Sequence, residues 1–214
     1  MKKIVSSFSL SLMFGLFAYA AEGPRADLFL GYSFLRYNSA QTVPAFTANG
    51  GIGTFAWNLN HYIALEGELG GYHNGNINNH EFDTTTFSYL FGPRVSINRS
   101  TTVIPYFHAL FGGQNAHTSI DCSKVVGVNP LSGTSCVGNT GRISRDQNNF
   151  AMAIGGGLDI KITRRLLLRP IQLDYYLTRF QAVNVSNPTG PSTNRNQNNL
   201  RYAAGIAFNF GGAQ

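Results

Sequence analysis

Large apolar residues recur at every second position in eight separate stretches of this chain. In the stretch 200–210, LRYAAGIAFNF, the even positions are mostly large and apolar, and the odd positions carry Arg, Ala, Gly, Ala and Asn. Successive side chains of a β-strand point to opposite faces, so this spacing predicts a strand with one apolar face and one small or polar face. No helical period occurs after residue 20. The alternation therefore predicts an all-β fold.

The positions of these stretches predict the order of the strands and the lengths of their connections. The predicted strands are 26–37, 50–58, 62–73, 84–97, 103–113, 149–162, 166–180 and 200–210. Strands 2–3, 4–5 and 6–7 are joined by short turns, and the long polar connections lie near 38–48, 74–83, 114–148 and 181–198. Short turns at one end and long loops at the other are typical of an antiparallel up-and-down outer-membrane barrel. Arg169 and Asp174 can share a face only if the seventh strand bulges at Pro170.

The first residues of the chain carry an export signal. Two lysines precede an apolar run, and Ala18 and Ala20 complete an A-x-A cleavage site. This arrangement is typical of a secretory signal peptide. We therefore expect a signal peptide at 1–20 and one barrel domain at 21–214.

Cys122 and Cys136 are the two cysteines of the chain. An even number of cysteines in an exported protein predicts a disulfide, which we expect between these two residues. Their spacing differs from the CxxC motif, so it gives no support to redox or zinc chemistry.

Alternation alone leaves open which face lines the interior. A soluble, lipocalin-like barrel would turn its apolar face inward and bind an apolar ligand. Here that face carries Phe, Tyr, Leu or Ile in nearly every strand, and an eight-stranded interior is only wide enough for side chains to fill it. In lipid, a closed barrel pairs every backbone polar group and turns the apolar face outward. We therefore expect an eight-stranded transmembrane β-barrel, with an interior of small and charged residues, in the outer membrane of a Gram-negative envelope.

Six motifs lie in the predicted strands: FLGYSFLR, LEGELGGYH, FGPR, PYFHALFGG, GGGLDIKI and LRPIQLDYYLTRF. Together they resemble the OmpA-like outer-membrane β-barrel family, without the peptidoglycan-binding domain of its longer members. The closing residues Gly205, Phe208 and Phe210 resemble the terminal signal that the barrel-assembly machinery reads. We expect a monomer that contacts outer-membrane lipids and lipopolysaccharide.

The predicted inward face carries nine ionisable residues: Glu66, Glu68, Arg94, His108, Asp159, Lys161, Arg169, Asp174 and Arg201. The resemblance implies a core of interlocking ion pairs, onto which Glu66, Arg94, Asp159 and Arg169 map by strand position. Arginine suits such a core because its guanidinium can bind a carboxylate through two parallel hydrogen bonds. Glu66 and Glu68 could alternatively form an acid–base pair, but the nearby arginines favour a structural role.

Several functions remain open at this point. A structural or envelope-integrity role requires a closed, charge-paired lumen, whereas a narrow porin-like channel requires that this network opens. A surface-interaction role would use the long loops, above all 114–148, to bind a ligand outside the cell. A lipid-modifying enzyme needs a nucleophile or water beside a histidine, and His73 and His117 have no such diagnostic spacing. We expect no catalytic residue, metal or cofactor, and the absence of a Lys/Arg-rich run makes nucleic acid an unexpected partner.

Overall fold

A computed structural model of the chain describes residues 26–38, 45–74, 82–97, 99, 101–121, 141–182 and 193–210. They form eight strands: β1 (Ala26–Tyr37), β2 (Phe46–Asn58), β3 (Ile63–Asn74), β4 (Phe82–Ser96), β5 (Val103–Asp121), β6 (Arg142–Lys161), β7 (Leu166–Ala182) and β8 (Thr193–Phe210). Each strand pairs antiparallel with the next, and β8 closes the barrel on β1. The predicted fold class is therefore confirmed. The predicted signal peptide, Cys122 and Cys136 lie outside the described residues.

Short connections join β2 to β3, β4 to β5 and β6 to β7, and we call this end of the barrel the turn end. The opposite end, where the long connections begin, is the loop end. Within the described residues, no helix is long and apolar enough to cross a membrane.

Several strands extend further toward the loop end than the alternation predicts. β5 continues past Gly113 to Asp121, and β6 begins at Arg142 rather than at Asn149. β8 likewise begins at Thr193, well before its predicted start. The added residues are mostly polar on both faces, so apolar alternation could not reveal them, and backbone hydrogen bonds continue the ladder through them. Much of the predicted loop 114–148 is therefore strand.

The two faces of each strand lie where the alternation placed them. In β8, Leu200 and Ile206 are exposed on the outer surface, whereas Arg201 and Ala203 are fully buried in the interior. The same division holds across the other strands, and it leaves a band of exposed Phe, Tyr, Leu and Ile around the barrel. Water would disfavour so large an apolar surface, whereas lipid would not.

The interior also holds large apolar side chains, which corrects the expectation that small and charged residues alone would fill it. Phe29, Leu110 and Tyr72 are all at most 2% exposed. Glycines make the room: a Cβ at Gly31 would collide with the Phe29 ring, and one at Gly70 would press on Tyr72. Glycines therefore make room for large rings that lie two residues away on the same strand and the same face.

The seventh strand changes its parity at Pro170, as the positions of its charged residues predicted. The β7–β8 register shifts between Arg169 and Gln172, so Arg169 and Asp174 both point inward. The shift leaves the carbonyl of Pro170 outside the regular ladder, and the Tyr202 hydroxyl donates a hydrogen bond to it at 2.8 Å. A half-buried tyrosine on the outer surface thus provides the hydrogen-bond donor that the bulged carbonyl lacks in the ladder.

Replacing Tyr202 with Phe is expected to lower the free energy of unfolding by about 1–3 kcal/mol, because the Pro170 carbonyl loses its partner in a site away from water. Urea titration of the protein in lipid vesicles, followed by Trp57 fluorescence, would measure the change. Tyr175→Phe is the matched control, since the Tyr175 hydroxyl binds Asn198 in an exposed position. A Tyr202→Phe cost no larger than that of the control would contradict this role.

Candidate functional site

Charged side chains from six strands meet in the middle of the barrel interior. They are Glu66 and Glu68 on β3, Arg94 on β4, His108 on β5, Asp159 on β6, Arg169 and Asp174 on β7, and Arg201 on β8. Each is at most 3% exposed. The strand alternation turns them inward, and barrel closure brings them together. We call this set the lumen network.

The part of the lumen network nearer the turn end is built around Asp159. The Arg94 guanidinium contacts the Asp159 carboxylate at 2.5 Å. Arg169 binds the same carboxylate through two parallel hydrogen bonds, Nε to Oδ1 at 2.7 Å and Nη2 to Oδ2 at 3.1 Å. Two arginines thus share one carboxylate, and Glu66 supplies a second negative charge 3.8 Å from Arg94 Nε.

Aromatic rings hold the two arginines of this part in place. The Arg169 guanidinium lies 4.1 Å from the Phe29 ring centre and 4.4 Å from that of Tyr106. The Arg94 guanidinium lies 4.0 Å from the centre of the same Tyr106 ring. Stacking on aromatic faces favours a cation, most strongly where water is excluded. Arg169 also donates to Gln172 Oε1 at 2.9 Å, which fixes its remaining nitrogen.

The part of the lumen network nearer the loop end is built around Arg201. Its Nη2 lies 2.7 Å from Asp174 Oδ2 and 2.9 Å from Glu68 Oε2, and its Nη1 contacts Glu68 Oε1. Nε donates to Asp174 Oδ2 at 2.9 Å. One guanidinium therefore neutralises two fully buried carboxylates.

His108 joins the two parts of the network. Its Nδ1 lies 3.2 Å from Glu66 Oε1, and its Nε2 lies 2.9 Å from Asp174 Oδ1. Ionised carboxylates accept hydrogen bonds and cannot donate them, so the ring that satisfies both contacts is the doubly protonated imidazolium. Gln172 forms a second link, because its amide nitrogen donates to Asp174 Oδ2 at 2.9 Å.

The charges of the lumen network cancel when His108 is protonated. Four carboxylates contribute −4, three guanidinium groups contribute +3, and the imidazolium contributes +1, giving 0. Buried charges are tolerated when they are paired and hydrogen-bonded. The arrangement fills the lumen with matched charges.

Comparison with solved structures relates this closed, charge-filled barrel to known proteins. Ail, the attachment invasion locus protein of Yersinia pestis, matches with a TM-score of 0.54 at 14% identity, over 88% of this chain and 99% of that one. OprG from Pseudomonas aeruginosa matches with a TM-score of 0.53 at 11% identity, over 89% and 98%. Neisserial surface protein A matches with a TM-score of 0.52 at 13% identity, over 86% and 97%. The chain has the eight-stranded outer-membrane barrel fold.

The resemblance to OmpA-like barrels is thus confirmed at the level of the fold. No protein-family model matches the chain, and no curated protein sequence matches it significantly. The fold is therefore shared at a sequence identity too low to carry a specific activity across.

Lys161, which the sequence predicts on the inward face with the other charges, lies apart from the lumen network. Its ammonium group is at the turn end, where it donates to the backbone carbonyl of Arg99. Arg99 in turn lies 3.2 Å from Asp27, and together they close the turn end of the lumen. Burial lowers the pKa of the Arg99 guanidinium, and the Asp27 charge partly offsets that effect. Asp27 is on the inward face of β1 by parity, so the alternation of the sequence could have identified it as a lumen residue. Arg99 lies in a turn, where no alternation indicates the direction of its side chain.

A layer of tyrosines closes the lumen on the loop side of the network. The Tyr176 hydroxyl donates to Gln114 Oε1 at 2.9 Å, and the Gln114 amide donates to Tyr37 at 3.2 Å. Tyr72 lies 3.3 Å from Ser33 Oγ and contacts Arg201. The sequence analysis did not identify this layer because tyrosines also occur on the outer face of the barrel. Residue type therefore does not separate the two groups, and only the position of each tyrosine in the strand alternation does.

The residues of the predicted assembly signal lie on β8. Gly205 pairs with Gly31 across the seam that closes the barrel, and a Cβ there would collide with the β1 backbone. Phe210 is exposed and Phe208 is half-buried on the outer surface. Their recognition by the assembly machinery stays a prediction.

His73 and His117, the two histidines that the structure describes near the loop end, have contacts that do not form a catalytic relay. The same nitrogen of His73, Nδ1, faces both Thr85 Oγ1 at 3.2 Å and Asp83 Oδ1 at 3.5 Å. A relay needs the acid on one ring nitrogen and the nucleophile on the other. His117 contacts Asp146 at 2.7 Å on the surface. Over the part of the chain that the structure describes, no group of three or more His, Cys, Asp or Glu could hold a metal ion.

Proposed function

We propose that this protein is a plugged outer-membrane barrel that acts as a structural scaffold and presents its loop end as an interaction surface. The observation that carries the proposal is the lumen network, in which Arg94, Arg169 and Arg201 are each paired with buried carboxylates. With eight strands there is room only for side chains inside the barrel, and here they are interlocked. A closed lumen favours a scaffold over a pore.

Its place in the outer membrane is supported by the exposed apolar band and by the outer-membrane proteins that share its fold. An N-terminal signal peptide would export the chain, and the barrel-assembly machinery would insert it as a monomer. The turn end would then face the periplasm and the loop end the outside, where lipopolysaccharide surrounds it.

A surface-interaction role is supported by the loop end. Ail, one of the similar structures, has been solved in complex with the heparin analogue sucrose octasulfate, with a TM-score of 0.51 to this chain. Exposed Arg36 and Arg179 lie near the loop end of this protein. We propose that ligands bind here rather than in the lumen, and that the protein is not an enzyme.

The scaffold proposal predicts that the barrel does not conduct ions. In planar lipid bilayers the wild-type protein should show no steady conductance, or only rare small openings, because paired charges and the tyrosine layer block the lumen. Arg94→Ala should make such openings more frequent, since it frees Asp159 and Glu66 from one partner. Arg164→Ala, in an exposed turn, is the control and should change nothing.

A narrow porin-like channel is the alternative function. It predicts a large, steady wild-type conductance that is indifferent to substitution of the lumen charges, and that result would refute the plug. Outer-membrane location is tested separately by cell fractionation and by the mobility shift of unheated samples in gel electrophoresis. Recovery of the exported protein as a soluble species without detergent would end the membrane assignment.

A further inference from the structure

The turn end of the barrel carries an excess of positive charge. Its three connections contain no acidic residue, and they are 59–62, 97–102 and 162–165. The ionised residues in these connections and at the adjoining strand ends are Arg99, Lys161, Arg164, Arg165 and Asp27. Four cations and one carboxylate give 4 − 1 = +3. The segments before and after the described barrel add no net charge, since Arg25 balances Glu22 and the two chain termini balance each other.

The four cations differ in what they contact. Arg99 Nη2 lies 3.2 Å from Asp27 Oδ2, and Lys161 donates to the Arg99 carbonyl, so both are held at the mouth of the lumen. Arg164 and Arg165 are exposed, and neither contacts a carboxylate in the part of the chain that the structure describes. These two adjacent arginines therefore provide the charge at this end that can bind another molecule.

Hydrogen bonds fix the backbone of the turn that carries the two arginines. The Thr163 hydroxyl oxygen accepts from the Leu166 N–H at 3.0 Å, and the Ile162 N–H donates to the Leu166 carbonyl at 3.0 Å. The Arg165 carbonyl accepts from the Asn209 N–H at 2.8 Å, which ties the turn to β8. Neighbouring Cα atoms are about 3.8 Å apart, so the fixed backbone holds the bases of both arginine side chains close together.

The lipid-facing surface of the barrel extends to this turn. Leu158 and Ile160 lie on the outer face of β6, and Ile162 continues the alternation into the turn with 58% of its surface exposed. Two residues span at most about 7 Å, so Arg164 begins within that distance of an apolar side chain on the lipid side. A long arginine side chain can lie along the apolar surface with its charged group in the headgroup layer.

An anionic phospholipid matches both features of this turn. Its phosphate can accept two parallel hydrogen bonds from a guanidinium group, and its net negative charge is attracted to a pair of basic residues at the membrane surface. Its acyl chain would pack on the isoleucine beside them. A small soluble anion would leave the exposed Ile162 without a partner.

We propose that Arg164 and Arg165 bind the phosphate of an anionic phospholipid in the periplasmic leaflet. The phosphate oxygens accept hydrogen bonds from both guanidinium groups, while an acyl chain of the same lipid packs on Ile162. We call these three residues the turn-end lipid site. This inference rests on the proposed function, because it requires that the barrel crosses the membrane with its turn end facing the periplasm.

The test measures lipid selectivity at two places on the barrel. Trp57 is the single tryptophan of the chain, and it is exposed on the outer surface beside the turn 59–62, which has no arginine. A second protein, Trp57→Phe with Ile162→Trp, moves the tryptophan to the turn-end lipid site and keeps that position apolar. Each protein is placed in nanodiscs of phosphatidylcholine and phosphatidylglycerol. Quenching of tryptophan fluorescence is compared when either lipid carries brominated chains.

Phosphatidylglycerol should associate at least threefold more strongly than phosphatidylcholine at residue 162, because only the former has a net negative headgroup. At Trp57 the ratio should stay close to one, because salt screening confines the attraction to lipids near the arginines. Raising the ionic strength should lower the ratio at residue 162.

Arg164→Gln combined with Arg165→Gln should bring the ratio at residue 162 close to one, without changing the gel mobility shift of the folded barrel. Arg179→Gln is the matched control, since Arg179 is an exposed arginine near the loop end. The control should leave the lipid ratio as it is in the protein that carries only the tryptophan exchange.

Four results would overturn the proposal. They are equal association of the two lipids at residue 162, a preference that survives the double substitution, a preference of the same size at Trp57, and a preference that appears only after removal of residues 211–214. The third would mean general attraction by the charged end, and the fourth that the chain itself occupies the site. Equal association together with arginine-dependent retention on purified peptidoglycan would assign the arginines to the cell wall.

The same measurement separates this inference from the proposed function. If the barrel does not lie in the bilayer, neither brominated lipid quenches Trp57, and the membrane assignment fails. Strong and equal quenching by both lipids at residue 162 would leave the membrane assignment intact and refute the turn-end lipid site alone.

Discussion

Replacing Arg201 with Ala is expected to lower the free energy of unfolding by about 3–5 kcal/mol, because it leaves buried carboxylates without their counter-charge. The arginine contacts both Glu68 and Asp174, and all three side chains are fully buried. His108 would still contact Asp174, but Glu68 would keep no cation within contact distance among the described ion pairs. Urea unfolding in lipid vesicles, read by Trp57 fluorescence, would measure the loss.

Arg179→Ala is the matched control for this substitution. Arg179 lies on the exposed surface near the loop end, where a single charge contributes little to stability. We expect a change within about 0.5 kcal/mol. Similar effects of the two substitutions would mean that the lumen charges are solvated instead of paired, and would argue for water in the lumen.

Replacing Ile154 with Arg is expected to cost about 2–4 kcal/mol, the range found for a basic residue near the middle of a bilayer on the lipid side of a barrel. Ile154 lies on the outer face of β6, midway along the apolar band between Phe150 and Leu158. The same unfolding measurement applies, and thinner bilayers should reduce the cost because the charge reaches the interface more easily.

Ala153→Ser tests the opposite face of the same strand. Ala153 is fully buried on the lumen face, and serine adds only one oxygen atom to alanine, so the cost should be about 1 kcal/mol or less. A larger cost for Ala153→Ser than for Ile154→Arg would mean that the assignment of lipid and lumen faces is wrong.

Much of the fold could be predicted because strand geometry links sequence to orientation locally. Every second side chain faces the same side, so the composition of each face indicates what surrounds it. Even the irregularity at Pro170 was predictable, since Arg169 and Asp174 have opposite parity and both are inward. The extension of β5 to Asp121 was not, because residues that are polar on both faces carry no periodic signal.

The sequence by itself determined which residues enter the lumen, but the tertiary structure decided which of them meet. His108 contacts residues 42 and 66 positions away, and Arg201 contacts one 133 positions away. Side-chain parity tells which face of a strand a residue occupies, but not its position along the barrel axis. That position follows from the stagger between neighbouring strands, which accumulates around the closed barrel. The register that closes β8 on β1 therefore sets the ion pairs, and it exists only once all eight strands are in place.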